Sequence, residues 1–581
     1  MKKLLACLLA LSLGTTVFFG CTNGNSGDNT DPPDTGSTLP GDTEVPDDSG
    51  NKPGDDNNKP SDEDKKDPEV DDGINWLSPV SDYEGVSAGG YVEGKIIDFT
   101  QYENTEAYRK VSTASEFLDA IIDAKYDYSS KWNAETQSVE QTLNSEGKVH
   151  VIEITADLDL GFKLLDSKYT SSRTYVEDYC RGKDSNIAAF TMSDMYEESG
   201  ISKIKIENTN NLLIFSKNGA KLTHGGFSLL SDSNVVIRNI EMDEMWQWED
   251  AANKGTAAVG DYDAFGWAYV KVAHCEYIWI DHCTFGKSYD GQIDYSNPVY
   301  NDGSTAFRAP YGASGDNGLH ISWCNFTSGS DDPEGYLYKM MAKIEEDYNA
   351  GGNNYLYYNA LREAGFTFEQ ILYGIAIPQK KGFLCGDSGN GKTDYDYNLS
   401  LQISFANCKF TNLEDRIPKL RGGNAVMYNC IVDSSQYYSY RTELRSKNAA
   451  SIVQKVNSSW KCGLVSQGIV CGNGGSIYAQ NCIYKGIDTL LKNNDKGGTT
   501  EGEISRPVDG GYKLINCSYQ KAATDTPTTT NFTNSSSSTL KTENFVWRTA
   551  DGSQPFEITE LDLDTLESLL NNEKYGAGTK N

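Results

Sequence analysis

The run Ile403-Ser-Phe-Ala-Asn-Cys408-Lys-Phe410 is answered by Val426-Met-Tyr-Asn-Cys430-Ile-Val432, with the second cysteine 22 residues after the first. Both are short apolar strands that end in Asn-Cys, then one variable residue, then an aromatic or valine. The frame occurs elsewhere. It is found in Ile278-Trp-Ile-Asp-His-Cys283-Thr-Phe285 and Ile321-Ser-Trp-Cys324-Asn-Phe326, and later in Ile477-Tyr-Ala-Gln-Asn-Cys482-Ile-Tyr484 and Leu514-Ile-Asn-Cys517-Ser-Tyr519. Val235-Val-Ile-Arg-Asn-Ile240 is an earlier copy without the cysteine. Runs of β-branched and aromatic residues bounded by Gly, Asn, Asp and Ser are strands. One strand type recurring at multiples of roughly twenty residues indicates a solenoid with loop insertions. The expected fold is therefore all-β, a parallel β-helix in which like residues of successive coils stack. Cysteine is a good small buried filler there, so a packed ladder of free thiols is favoured over a disulfide framework. Zinc is disfavoured too, for there is no Cys-x-x-Cys and only five histidines.

Flanking segments complete this plan. Residues 114–124 have helical apolar spacing with Ser115 as a candidate N-cap, which predicts a helix capping the first coil. Residues 333–373 contain two helical stretches, read as a partly helical loop insertion on one coil. The solenoid domain is placed at 74–581. Upstream, Lys2 and Lys3 precede the apolar run Leu4–Leu13, a signal-peptide pattern over residues 1–20. Gly20-Cys21 is similar to a lipoprotein cleavage site with Cys21 as the lipidated residue. Residues 22–73 hold sixteen acids against four lysines and almost no large apolar side chain. Such a segment cannot offset its ordering entropy and is read as a disordered acidic tether. The expected location is outside the cell membrane, lipid-anchored in the outer membrane or at the surface of a Gram-negative bacterium. The membrane is touched only through the lipid, and the protein is expected to be a monomer. A net charge of −32 excludes nucleic acid as a partner.

Two acids four apart on a strand face the same way, as in Asp290-Gly-Gln-Ile-Asp294; Asp261-Tyr-Asp263 is a second same-face pair. Stacked coils that bring such carboxylates together need a cation between them, and oxygen-only ligands suit Ca²⁺. Without the fold, solvated surface acids would be the better reading. Likewise Lys381, Arg416 and Arg421 taken alone are ordinary surface cations. Pro418 between the arginines predicts a bend that lets both reach one groove.

At these residues the chain resembles the pectate lyases of polysaccharide lyase family 1. The matching runs are Asn234-Val-Val-Ile-Arg-Asn-Ile240, Trp279-Ile-Asp-His282, Asp290-Gly-Gln-Ile-Asp294, His320-Ile-Ser-Trp-Cys-Asn-Phe326, Lys381-Gly-Phe-Leu-Cys-Gly386 and Arg416-Ile-Pro-Lys-Leu-Arg-Gly-Gly423. They stand in the family's order over residues 110–450. The resemblance implies a right-handed parallel β-helix and a secreted enzyme cleaving polygalacturonate (pectate) by β-elimination. It implies Arg416 as catalytic base, Lys381 and Arg421 as substrate-carboxylate ligands, and Asp263, Asp290 and Asp294, with Asp261 less firmly, as ligands of Ca²⁺. It also implies a structural role for Asp281-His282. The insertion at 333–373 departs from compact members and falls just before Lys381. Two rival readings stay open on the residues alone: a polygalacturonase-type hydrolase and a non-catalytic carbohydrate-binding β-helix. A likeness of His274-Cys275 and Asp387-Ser388-Gly389 to trypsin-like motifs is taken as coincidence.

Overall fold

The computed structural model describes residues 74–581 apart from several stretches, chiefly 178–198, 263–266, 297–317, 387–397, 494–508 and 530–539. Cys21, the tether, Asp263 and Ser388 therefore lie outside the described residues. Three long parallel sheets are present, with ten, ten and nine strands among the described residues. The chain visits them in rotation. Gln402–Ala406 lies in the first sheet, Lys409–Thr411 in the second and Lys419–Arg421 in the third, and Asn424–Tyr428 returns to the first. Gln402 pairs in parallel with Asn424, and Lys409 with Ile431, so one coil takes 22 residues. This is the parallel β-helix. Among the described strands of these three sheets, only two end strands, Thr174–Glu177 and Thr528–Thr529, run antiparallel to their neighbours.

The repeated sequence frame has a backbone cause. The residue before each ladder position turns the chain from the first sheet into the second. Asn239, His282, Trp323, Asn407, Asn429, Asn481 and Asn516 all occupy the left-handed region, with φ between 47° and 56°. Asparagine tolerates that conformation better than most residues, hence its recurrence. The last four asparagines are also wired to one another. Asn429 donates to Asn407 (3.2 Å), Asn481 to Asn429 (3.3 Å) and Asn516 to Asn481 (2.7 Å). One residue on, the thiols point inward and donate to carbonyls of the preceding coil, Cys408 to Ile321 and Cys482 to Met427, each at 3.6 Å. All ten described cysteines are free. Two residues further, Phe285, Phe326 and Phe410 stack with ring centroids 5.3 and 4.6 Å apart, contacts worth about 0.5–1.5 kcal/mol each beyond their burial.

The capping helix is present at Ala114–Ala124, but its N-cap is Thr113, not Ser115. The Thr113 hydroxyl accepts from Glu116 N (3.2 Å), and Thr113 N donates to the Glu116 carboxylate (3.2 Å). A capping box needs the acid three residues after the cap, which selects Thr113. The insertion forms helices Tyr336–Asn349 and Leu356–Glu363 and a short turn Phe368–Ile371. It is part of the domain, because Asp250 accepts from the backbone N–H of Tyr357 and Tyr358 at the helix start. Two helices not foreseen, Tyr438–Ser446 and Ala449–Val456, pack beside it. The strands in the middle of the first sheet are buried on both faces. Their outer side chains, among them Ala406, Val426, Tyr428 and Tyr478, are covered by residues 86–91 and the C-terminal helix Leu563–Leu570. The third sheet carries the charged residues instead.

Candidate active site

Strands of the third sheet alternate inward and outward. Ile206, Leu229, Val272, Tyr295, Cys385, Leu420 and Cys471 form one buried row. The residues just before them form the outward row: Lys205, Ser228, Lys271, Asp294, Leu384, Lys419, Val470 and, one strand on, Lys492.

Asp290 sits in the turn ahead of strand Gly291–Ser296 and faces the next two coils. Its Oδ1 is 3.3 Å from Lys381 Nζ and 3.1 Å from Arg416 Nη2. Arg416 Nη1 reaches Asp290 Oδ2 (3.4 Å) and lies 3.8 Å from Asp294 Oδ1. Lys381 also donates to the carbonyl of Tyr262 (3.1 Å). Of the seven residues named for chemistry from the sequence, Asp290, Asp294, Lys381 and Arg416 thus converge, across 126 residues of chain. The fit is close at Gly291, where a Cβ would stand 3.1 Å from both Arg416 Nη1 and Asp294 Oδ1. Arg416 itself is held at φ +63°, ahead of a cis Ile417–Pro418 bond, and is only 7% exposed. The bend expected at Pro418 turns Arg416 onto the acid pair, while Arg421 ends the outward strand Lys419–Arg421.

The electrostatics follow from burial and neighbours. Burial alone would raise Asp290, but Arg416 and Lys381 hold it well below the usual carboxylate range. Asp294 goes the other way, raised by burial and by Asp290 despite Lys271 and Arg416. Burial opposes the charge on Arg416, yet Asp290, Asp294 and Asp415 outweigh it and strengthen its hold on the proton. Lys419, in the same outward row, is brought down to about 8 by burial, with Arg416, Arg421 and Lys381 adding and Asp415 opposing.

The remaining candidates divide. The carboxylate of Asp261 pairs with Lys461 at 2.7 Å, a partner 200 residues away. Asp281 and His282 are fully buried; the Asp281 carboxylate lies 3.0 Å from both His282 Nδ1 and Arg238 Nη2 and accepts from Ser322, and Arg238 in turn donates to the carbonyls of Trp76 and Ser78. Lys271 and Asp415 were not singled out from sequence. Lys271 was legible only as the polar residue between inward Val270 and Val272. Among the described residues no third His, Cys, Asp or Glu joins Asp290 and Asp294 in a cluster able to hold a metal. The Oδ1 of Asp294 is nonetheless buried without a hydrogen bond.

No protein-family model matches the chain. It is 30% identical over 412 residues to pectate lyase B of Paenibacillus amylolyticus, covering 69% of this chain and 88% of that protein. A pectate trisaccharide-lyase of Thermotoga maritima is 29% identical over 153 residues, 24% of this chain and 34% of that one. Among solved structures, a pectate lyase of Paenibacillus sp. 0602 superposes with a TM-score of 0.64 at 26% identity, covering 84% of this chain and 95% of that one. A parallel β-helix, an ion-paired Asp–Arg–Lys group on its third sheet and a relative matched over most of its length agree on one conclusion: the chain belongs to the pectate lyases, carbon–oxygen lyases that act on polysaccharides.

Proposed function

We propose that this enzyme cleaves α-1,4-polygalacturonate by β-elimination and releases 4,5-unsaturated oligogalacturonates, with calcium held at Asp290 and Asp294. The observation that carries it is the Asp290–Arg416–Lys381 network, since a hydrolase needs no buried arginine facing the acid pair. The donors suit a hard cation. Asp294 Oδ1 is a buried carboxylate oxygen with an open hydrogen-bonding position, Asp290 is its neighbour, and all donors are oxygen. Asp263 and the substrate carboxylate are the further ligands this reading calls for. When bound, calcium withdraws charge from the substrate carboxylate and so acidifies the adjacent C5–H.

The chain's own groups supply the rest. Lys381 and Arg421 hold uronate carboxylates by charge-assisted hydrogen bonds. Arg416 is aimed at the acid pair, and in this reading its guanidine nitrogen receives the C5 proton. The C–H electron pair becomes the C4=C5 double bond, and the C4–O bond breaks with its electron pair on the leaving sugar's oxygen, which takes a proton from water. Free arginine keeps its proton under nearly all conditions, and here the carboxylates around it strengthen that hold. Proton acceptance therefore requires those acids to be engaged elsewhere and calls for alkaline conditions. The test is incubation with polygalacturonate, with and without a chelator, following ultraviolet absorbance of the unsaturated product. Absorbance that is lost with chelator and restored by calcium is expected; chain scission without absorbance defeats the reading.

Export and attachment through Cys21 are part of the same proposal: a tethered lyase suits an external polymer. Cys21→Ser is expected to move the protein from the detergent phase to the aqueous phase.

A further inference from the structure

Glu249 and Asp250 are adjacent buried acids in the segment that joins strand Glu241–Asp243 of the second sheet to strand Val270–Ala273 of the third. Asp250 anchors that segment. Its carboxylate accepts from Trp248 Nε1 (2.8 Å), Ala251 N (2.6 Å), and Tyr357 N and Tyr358 N (2.7 and 2.9 Å). Glu249, fixed by this anchor, accepts from Tyr262 N at 2.7 Å. Tyr262 is held at φ +54°, in the left-handed region that a bulky side chain rarely enters. Such a conformation persists only where its surroundings over-determine it, and it gathers at functional sites. Here the ring is fully buried and lies nearly parallel to Trp246, with centroids 6.0 Å apart. With its N–H taken by Glu249 and its ring by Trp246, the Tyr262 peptide turns its carbonyl to Lys381 Nζ at 3.1 Å. An ammonium group carries three N–H donors. In Lys381 one goes to Tyr262 O and one to Asp290 Oδ1 (3.3 Å), so among the described residues a third is left over, and the other two set its direction.

We propose that Glu249 is a positioning residue for Lys381: it holds the Tyr262 peptide in the one orientation that aims the remaining Lys381 N–H at a uronate carboxylate. This rests on the proposed substrate and on the role given there to Lys381. Glu249 acts through that lysine, so its effect should vanish when the lysine is removed. The measurement is steady-state formation of unsaturated product from polygalacturonate, with each variant normalised to folded protein by circular dichroism. Glu249→Ala is expected to raise KM about tenfold with kcat changed by less than about threefold. Glu249→Gln keeps an oxygen for the Tyr262 N–H and should stay within about twofold of the wild type. In a Lys381→Met background, Glu249→Ala should add less than about twofold. If Glu249→Ala does not fold, Glu249→Asp, one methylene short of Tyr262 N, carries the same comparison at about fivefold. A rise in KM that persists without Lys381, a Gln variant as impaired as the Ala variant, an unchanged KM, or a loss confined to the amount of folded protein overturns the positioning role. Failure of the substrate reading shows separately, as wild-type scission without the unsaturated product, and removes this inference with it.

Discussion

Two corners of the same coils are built on opposite rules. At the turn from the first sheet to the second, like residues stack: asparagine on asparagine, thiol on thiol, phenylalanine on phenylalanine. On the third sheet unlike residues stack: lysine, aspartate, leucine, lysine. Identical neutral neighbours satisfy one another and specify coil register. Alternating charges satisfy one another only partly, and leave cations and a carboxylate oxygen free for something else. The first corner stores stability and the second stores unmet interactions, so a change in one should barely register in the other's assay.

The sharpest break is Arg416→Lys. It keeps one charge near Asp290 but loses the planar two-pronged contact. Turnover should fall about a thousandfold, with thermal melting and calcium binding nearly unchanged. If instead the melting point collapses, the charged sheet is structural and the division fails. Asn429→Val attacks the opposite corner. It removes bonds to Asn407, Asn481 and Thr559 and puts a β-branched residue at φ +51°. A loss of about 2–4 kcal/mol in denaturant unfolding is expected, with kcat/KM of the folded protein retained. Gly291→Ala tests how tightly the charged sheet is fitted. Its methyl would press on Arg416 and Asp294 at 3.1 Å, and kcat should fall roughly tenfold to a hundredfold at near-constant stability. The smallest effect is a pH dependence. Lys419 is charged below about 8 and neutral above it. KM for polygalacturonate should therefore rise as pH passes through that value, by about fivefold or less. Lys419→Arg, which stays charged, should flatten the step; an unchanged step assigns it to another group.

The first corner was readable from sequence because it repeats. Each Asn-Cys-x-aromatic copy states the same turn, so the coil length and the free thiols followed from comparing the chain with itself. The site is less readable because its contacts do not repeat. The pairing of Asp261 with Lys461, and the screen that Asp415 places beside Lys419, depend on loops of different length on different coils. Helices 438–456 escaped notice because their amphipathic faces are short and pack on the insertion rather than on the regular core. Thr113 was passed over for Ser115 because both are capping residues, and only the position of Glu116 decides between them.

The stacked cysteines have one more consequence. Each thiol sits on a known coil, in the order 283, 324, 408, 430, 482 and 517, and each is almost fully enclosed. An alkylating reagent can reach a given sulfur only when its own coil has opened. A solenoid frays from its ends, since each coil contacts only its neighbours. The ladder is thus a graduated scale written into the molecule, and the order in which its marks are alkylated under mild denaturant reads out which end lets go first.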